Sequence, residues 1–383
     1  MTHYAGPLLT RDSASALQRA AEGGAAHWQG SLDLGRSEAD VALDAQGFAF
    51  AGQHYPWPGK LKDRTLYYWD GEAFEPISRF GTGLIKLVPT EWGAPTFEID
   101  GIKMLPTAKV SPYDDARRKV ELIAPAGKIV LDTCGGLGYF AACCLAAGVA
   151  QVRSFEKNAD VLWLRTLNPW SPDPDADNAG GRLQLAHGDV SEAIAALADN
   201  SVDVIFSNLC LQYVDDLPAV FAGFRRVLKP GGLLLCSTYG PETLIELAEA
   251  FHAVDDQPHV SRFAPIAQFG DALMMAGFRD PVLDRDLFTL TYDDLPALMQ
   301  ELRALGATNP RLDRRRTLTG AGRFKAAAQA YEPMRRADGK LPSSWDVIYA
   351  HAWAPQAGAP IRDQGQDIAA VPVSAIPIRR KPV

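Results

Sequence analysis

The sequence predicts an α/β fold: a doubly wound, mostly parallel sheet with a small antiparallel β module before it and helical insertions late in the chain. Three observations predict it. From residue 111 onward, short apolar runs alternate with stretches of helical periodicity, as strands covered by helices on both faces require. A glycine-rich turn, Cys134-Gly135-Gly136-Leu137-Gly138, separates the first such strand from the helix after it. Between Phe48 and about Met104, β-prone runs are divided by Asp70-Gly71, Pro89 and Asp100-Gly101, which are hairpin signals.

In chain order, residues 1–47 are Ala- and Gly-rich with weak periodicity and are expected to be irregular or poorly ordered. Residues 48–110 form the β module, with Tyr67-Tyr68-Trp69 read as part of its packing. Residues 111–355 form the main domain. Ser111 or Asp114 caps a helix that runs to Ile123, and Pro125 and Gly127 end it. Strands follow at Lys128–Asp132, Val152–Glu156, Leu183–Ala186, Val202–Ser207 and Leu233–Ser237, with helices from Tyr139, from about Asn158 and over Leu217–Leu228. Residues 171–178 read as a polar loop. Beyond 240 the chain reads as helix-rich, with insertions near 242–276 and 306–344 and a late strand, Trp345–His351, to finish the sheet. Residues 356–383 are expected to be a mobile tail.

Composition bounds the function. The 383 residues carry 38 Lys+Arg against 46 Asp+Glu, a net charge of −8, which argues against a bulk nucleic-acid binder. No apolar run is long enough for a membrane span, and the opening residues lack the pattern of a secretory leader. Five cysteines, two of them adjacent (Cys143 and Cys144), do not form a disulfide framework or a metal-ligand set, so a reducing cytoplasm fits best and no metal is expected.

The chemistry concentrates at strand ends. Asp132 closes the first strand, Glu156 closes the second, 20 residues beyond Gly136, and Asp189 follows the third. Glycines let a ligand approach the backbone. A carboxylate at Glu156 can accept both hydroxyls of a ribose, and Asp189 can accept from an adenine amino group or cap the helix from Ser191.

These features, with Leu228-Lys229-Pro230-Gly231-Gly232, resemble the class I S-adenosylmethionine-dependent methyltransferases over roughly residues 112–290, whose sheet has seven strands. A dinucleotide site usually has spaced glycines for a pyrophosphate. An acid such as Asp132 would repel a pyrophosphate and attract a methionine ammonium group. The resemblance therefore implies S-adenosyl-L-methionine as cofactor, held by Asp132, Cys134, Gly136, Gly138, Glu156, Asp189 and Asn208. Cys134 departs from the family, which usually has glycine there. It reads as a small buried residue.

A narrower resemblance covers about 204–355. Ser207-Asn208-Leu209-Cys210-Leu211-Gln212-Tyr213, Val254–Phe263 and Leu305-Gly306-Ala307-Thr308-Asn309 are similar to the malonyl-acyl-carrier-protein O-methyltransferase family of biotin synthesis. It implies methyl transfer to the free carboxylate of a malonyl thioester on carrier protein or coenzyme A. Arg262 and His259 are then the substrate-carboxylate contacts, and Gln212 and Tyr213 lie near the methyl. Acyl carrier protein is the implied partner, docking on a basic patch of Arg311, Arg314, Arg315 and Arg316, extended by Arg335, Arg336 and Lys340. The alternative reading of that patch is a solvated polar loop.

The first half resembles a spermidine-synthase-like protein of the methyltransferase fold through Tyr67–Gly71, Phe97–Ile102 and Asp115–Val120. The chain thus reads as composite, with a seam near Val204–Phe206. Two other functions stay open. Aminopropyl transfer needs an acid after strand four, where only Asp215 and Asp216 occur. An inactive binding protein would account for Cys134 in the turn.

Overall fold

Adjacent residues of the central strands serve different cores. Val130 and Val204 point to one face of the sheet, Leu131 and Ile205 to the other, and all four are fully buried. A strand apolar on both sides needs helices on both sides, and the computed structural model supplies them. It describes residues 3–81, 83–99, 102–107, 109–175, 179–214, 216–255, 257, 259–261, 263–304, 320–359, 361–363 and 366–368. No helix among them is long and apolar enough to cross a membrane.

The sheet strands are β1 (Ile129–Asp132), β2 (Gln151–Glu156), β3 (Leu183–His187), β4 (Val202–Asn208), β5 (Leu228–Tyr239), β6 (Arg279–Tyr292) and β7 (Leu341–Trp353), in the order β3-β2-β1-β4-β5-β7-β6. The first five pair in parallel, and β7 runs antiparallel to both its neighbours. Seven strands, mostly parallel and doubly wound, is the predicted fold. The strand order reverses between β1 and β4, where ligands sit in such sheets.

One face is covered by α1 (Pro112–Ile123), α2 (Tyr139–Ala146) and α3 (Ala159–Leu167), through Val120, Phe140 and Leu164. The other is covered by α4 (Val190–Ala195), α5 (Leu217–Val227) and α6 (Ile266–Met275), through Ile194, Phe221, Phe224 and Phe269. Of the two candidates Ser111 and Asp114, Ser111 caps α1, and α3, expected from about Asn158, is capped by Asn158.

Three expectations are corrected. Residues 1–47 are not irregular: Arg11–Glu22 is a helix with a Thr10–Ser13 capping box, and His27–Gly30 and Ala39–Leu43 join a four-stranded sheet. This region has its own core of Leu9, Leu17, Val41, Phe48 and Tyr55, so the β module begins well before residue 48. The helix-rich reading of the chain beyond 240 missed a strand, the 14-residue β6. As an edge strand it buries little, so its alternation of apolar and charged residues is weak, and Asp284, Arg285 and Asp286 blunt the edge against further pairing. The late strand expected to finish the sheet is present but does not end it: β7 lies between β5 and β6, and β6 is outermost. The tail expected to be mobile lies mostly outside the described residues.

Asp346 on β7 fastens the first insertion to the sheet. Its side chain is fully buried, accepts from Arg285 Nε at 2.8 Å and Glu242 N at 3.2 Å, and lies where a Cβ on Gly240 would go, 2.3 Å from Oδ2. Asp346→Ala strands the amide of Glu242 and half of the Arg285 contacts. Urea denaturation is expected to show a loss of about 2–3 kcal/mol, discounted because Arg285 is partly exposed. An unchanged midpoint would contradict this role.

Candidate functional site

The glycine-rich turn is held from below by a buried polar cluster. Asp132 ends β1 opposite Ser154 of β2, whose Oγ donates to Asp132 Oδ2 at 2.8 Å. The amide of Cys134 reaches Asp132 Oδ1 at 3.4 Å. Asp132 is 1% exposed, and burial pushes its carboxyl up to about 6 against the opposing pull of Ser154 and Arg165. Arg165 of α3 is equally buried. Its Nε donates to the carbonyl of Gly136 at 2.6 Å and its Nη2 to Ser154 Oγ at 3.5 Å. Desolvation lowers the guanidinium pKa, while the charges of Glu156 and Asp132 oppose that shift.

This packing dictates the glycines. A Cβ on Gly135 would lie 2.1 Å from Ser154 Oγ and 2.3 Å from Arg165 Nη2, so no side chain fits there. Gly138 has φ +81 and begins α2, with Pro172 Cδ only 2.9 Å from its notional Cβ. The amide of Gly136 donates to Glu156 Oε2 at 3.0 Å, and that of Asn158 donates to Oε1 at 2.8 Å. Glu156 is thus fixed in orientation, while each oxygen keeps a free lone pair.

Above the turn lies a cavity of about 530 Å³, lined by Thr133, Cys134, Glu156, Lys157, Asp189, Leu209, Cys210 and Tyr213, with Val190, Ile194, Val214 and Val220 among its apolar walls. That volume suits a nucleoside-sized ligand. Asp189 caps α4: Oδ1 accepts from the amides of Ser191 and Glu192 at 2.9 and 3.1 Å, and Oδ2 lies 4.0 Å from Lys157 Nζ. Both sequence readings of Asp189 are therefore compatible, since the capping oxygen is not the one facing Lys157. The open cradle, the two carboxylates and the apolar walls fit an adenosyl group.

The predicted residues divide. Cys134, Glu156, Asp189 and Tyr213 line the cavity, and Cys134, read from sequence as a small buried residue, is exposed there. Gly136 and Gly138 shape the turn behind it. Asp132 lies under the turn, bonded to Ser154 and the Cys134 amide, and is not among the residues that line the cavity. Asn208 accepts from Ser237 Oγ at 3.0 Å, and Gln212 donates to the carbonyl of Leu209 at 2.7 Å. His259 is elsewhere, stacked on Phe251 and bonded to Asp255 at 2.8 Å. Arg262 and Arg311, Arg314, Arg315 and Arg316 lie outside the described residues. Of the proposed extension of the basic patch, Arg335 is paired with Glu332 at 2.6 Å and Lys340 with Asp293. Ser154, Arg165 and Gly135 were missed. The signal for Arg165 was a lone cation in the apolar helix run Val161–Leu167, which needs a buried partner.

Comparison with known proteins identifies the domain and the family. Residues 111–280 match the model of a methyltransferase domain. The malonyl-[acyl-carrier protein] O-methyltransferase of Xylella fastidiosa is 61% identical over 199 residues, 52% of this chain and 67% of that protein. That of Gallionella capsiferriformans is 47% identical over 176 residues, 46% of this chain and 60% of that protein. That of Laribacter hongkongensis is 37% identical over 263 residues, 67% of this chain and 86% of that protein. The domain match runs unbroken through Val204–Phe206, and the Laribacter likeness is longer than the chain that follows residue 203. The spermidine-synthase-like reading of the first half, and the seam it implied, are therefore not supported.

Asp132 gives a pH signature with a definite sign. Its folded pKa is raised, so between about pH 4 and 6 the folded chain binds more protons than the unfolded one, and stability falls as pH rises through that window. Asp132→Asn removes the titration. Urea curves of the ligand-free chain at pH 4 and 7 should show the unsubstituted protein losing on the order of 3 kcal/mol relative to the Asn variant. Parallel behaviour of the two would contradict the assignment.

Proposed function

The chain belongs to the malonyl-[acyl-carrier protein] O-methyltransferase family, and on that premise we propose that it methylates the free carboxylate of a malonyl thioester, on carrier protein or coenzyme A, using S-adenosylmethionine. The reaction belongs to biotin biosynthesis, and the free state of all five cysteines suits a reducing cytoplasm. The observation that carries the reading is the cavity at the switch point of the sheet, with Glu156 fixed by two backbone amides at its floor.

The bound cofactor supplies an electrophilic methyl on a cationic sulfur. Glu156 offers its remaining lone pairs to vicinal ribose hydroxyls, and Asp189 offers Oδ2 to an amino group. Ile194, Leu209, Val214 and Val220 exclude water from the cavity and hold the ligand in one orientation. The nucleophile needs no general base, because a carboxylate of pKa about 4 is ionised at neutral pH.

Arg262 is proposed to grip the malonyl carboxylate, since a guanidinium can take a carboxylate in bidentate fashion. The neutral ester loses that pairing and is released. His259, held by Asp255 and Phe251, is assigned to supporting the segment that carries Arg262. Arg311, Arg314, Arg315 and Arg316 are proposed to dock the acidic carrier protein, an attraction that salt weakens.

The test is methyl incorporation into malonyl-carrier protein from labelled S-adenosylmethionine, with mass spectrometry locating the methyl. The expected product is the methyl ester; a modified amine would contradict it. Glu156→Ala should raise the dissociation constant for S-adenosylhomocysteine by about 100-fold, on the scale of two lost charge-assisted hydrogen bonds. Unchanged affinity by calorimetry would refute the assignment of Glu156.

A further inference from the structure

Two thiols meet in the cofactor cavity. β1 and β4 lie side by side, with Asp132 opposite Phe206 and the amide of Thr133 donating to the carbonyl of Phe206 at 3.1 Å. Both chains leave the sheet just beyond that point. On the β1 side the turn puts Cys134 at the cavity wall. On the β4 side Leu209 takes φ +48, a conformation uncommon for a residue with a side chain, and this sharp bend returns Cys210 toward the end of β1. Both residues line the cavity, and their side chains are near enough for each to shift the other's acidity.

The geometry points to a redox site: we propose that Cys134 and Cys210 are joined reversibly by peroxide into a disulfide that closes the cofactor cavity. The closure rests on the cofactor reading given above; the bond itself does not. One equivalent of hydrogen peroxide balances the step. The Cys210 thiolate attacks peroxide, the O–O bond breaks, and after proton transfer one water leaves and a sulfenic acid remains. The Cys134 sulfur then attacks the sulfenyl sulfur, forming the S–S bond and expelling a second water. Two electrons pass from the thiols to the peroxide. A dithiol reductant restores both thiols by exchange.

The cavity explains why this pair reacts and the others do not. The interaction with Cys134, helped by Thr133 and Ser207, lowers the Cys210 thiol, whereas the interaction with Cys210 is the chief cause that holds the Cys134 thiol up. Cys143, Cys144 and Cys236 are buried in the cores, and burial pushes all three thiols up, to about 11 for Cys143 and about 12 for Cys236. An S–S bond of about 2.05 Å would draw the glycine-rich turn and the post-β4 loop together, across the space the cofactor needs.

The experiment treats the full chain with stoichiometric hydrogen peroxide, then denatures, alkylates and weighs it. The expected result is a loss of two protons in mass, three alkylated cysteines instead of five, and a peptide joining residues 134 and 210. Cys210→Ala should not form this link. Oxidation should weaken S-adenosylhomocysteine binding at least tenfold, dithiothreitol should restore it, and saturating S-adenosylhomocysteine should slow oxidation at least tenfold. Five free thiols after treatment, or a bond involving another cysteine, would overturn the pairing. Formation of the bond with unchanged affinity would overturn the closure. Formation of the bond in a chain that binds no S-adenosylhomocysteine even when reduced would overturn the cofactor reading and uphold the thiol pair.

Discussion

A single buried guanidinium organises the candidate site. Arg165 reaches through the domain from α3 to the carbonyl of Gly136 and to Ser154, beside the carboxylates of Asp132 and Glu156. Burying a charge costs several kcal/mol unless it is paired, and burying two acids without a cation costs more. Each group therefore makes the others tolerable. The absence of a side chain at Gly135 is a direct consequence, since the guanidinium and the Ser154 hydroxyl occupy that space. The turn's shape, the fixed Glu156 and the open cavity all follow from this packing.

The N-terminal region buttresses the same turn from outside. Tyr139, the first residue of α2, donates its hydroxyl to the carbonyl of Pro95 at 2.7 Å and accepts from Asn168 at 3.0 Å. Trp170 donates to the carbonyl of Leu34 at 3.1 Å, and Tyr4 donates its amide to the carbonyl of Thr166 at 2.8 Å. The loop after α3, which carries the closing residues behind Arg165, is thereby pinned to the β module at several points. Leu66, Ile77, Ile85, Leu87 and Phe97 continue the core of the α1–α3 face. The module is part of the wall around the site and not an appended unit.

Legibility in the sequence tracked burial. The parallel strands and their helices were readable because continuous apolar runs and caps such as Ser111 and Asn158 encode them locally. Glu156 and Asp189 were readable because strand ends in a doubly wound sheet have a fixed relation to the ligand crevice. The N-terminal helix was missed because its buried residues are few, only Ala14 and Leu17, among polar ones. β6 was missed because an edge strand need not alternate cleanly. Arg165 was missed for a different reason: a lone cation in an apolar helix run signals burial but not its partners, which lie 9 to 33 positions earlier in the chain, at Asp132, Gly136, Ser154 and Glu156.

The most direct test of this account removes the guanidinium and asks about the cofactor. Arg165→Met keeps a long unbranched side chain but loses the charge and both hydrogen bonds. Titration calorimetry with S-adenosylhomocysteine, run alongside far-ultraviolet circular dichroism, should find the sheet intact and the affinity reduced at least tenfold, because the turn and Glu156 are no longer held. A folded Arg165→Met chain that binds S-adenosylhomocysteine as tightly as the unsubstituted protein would contradict the account.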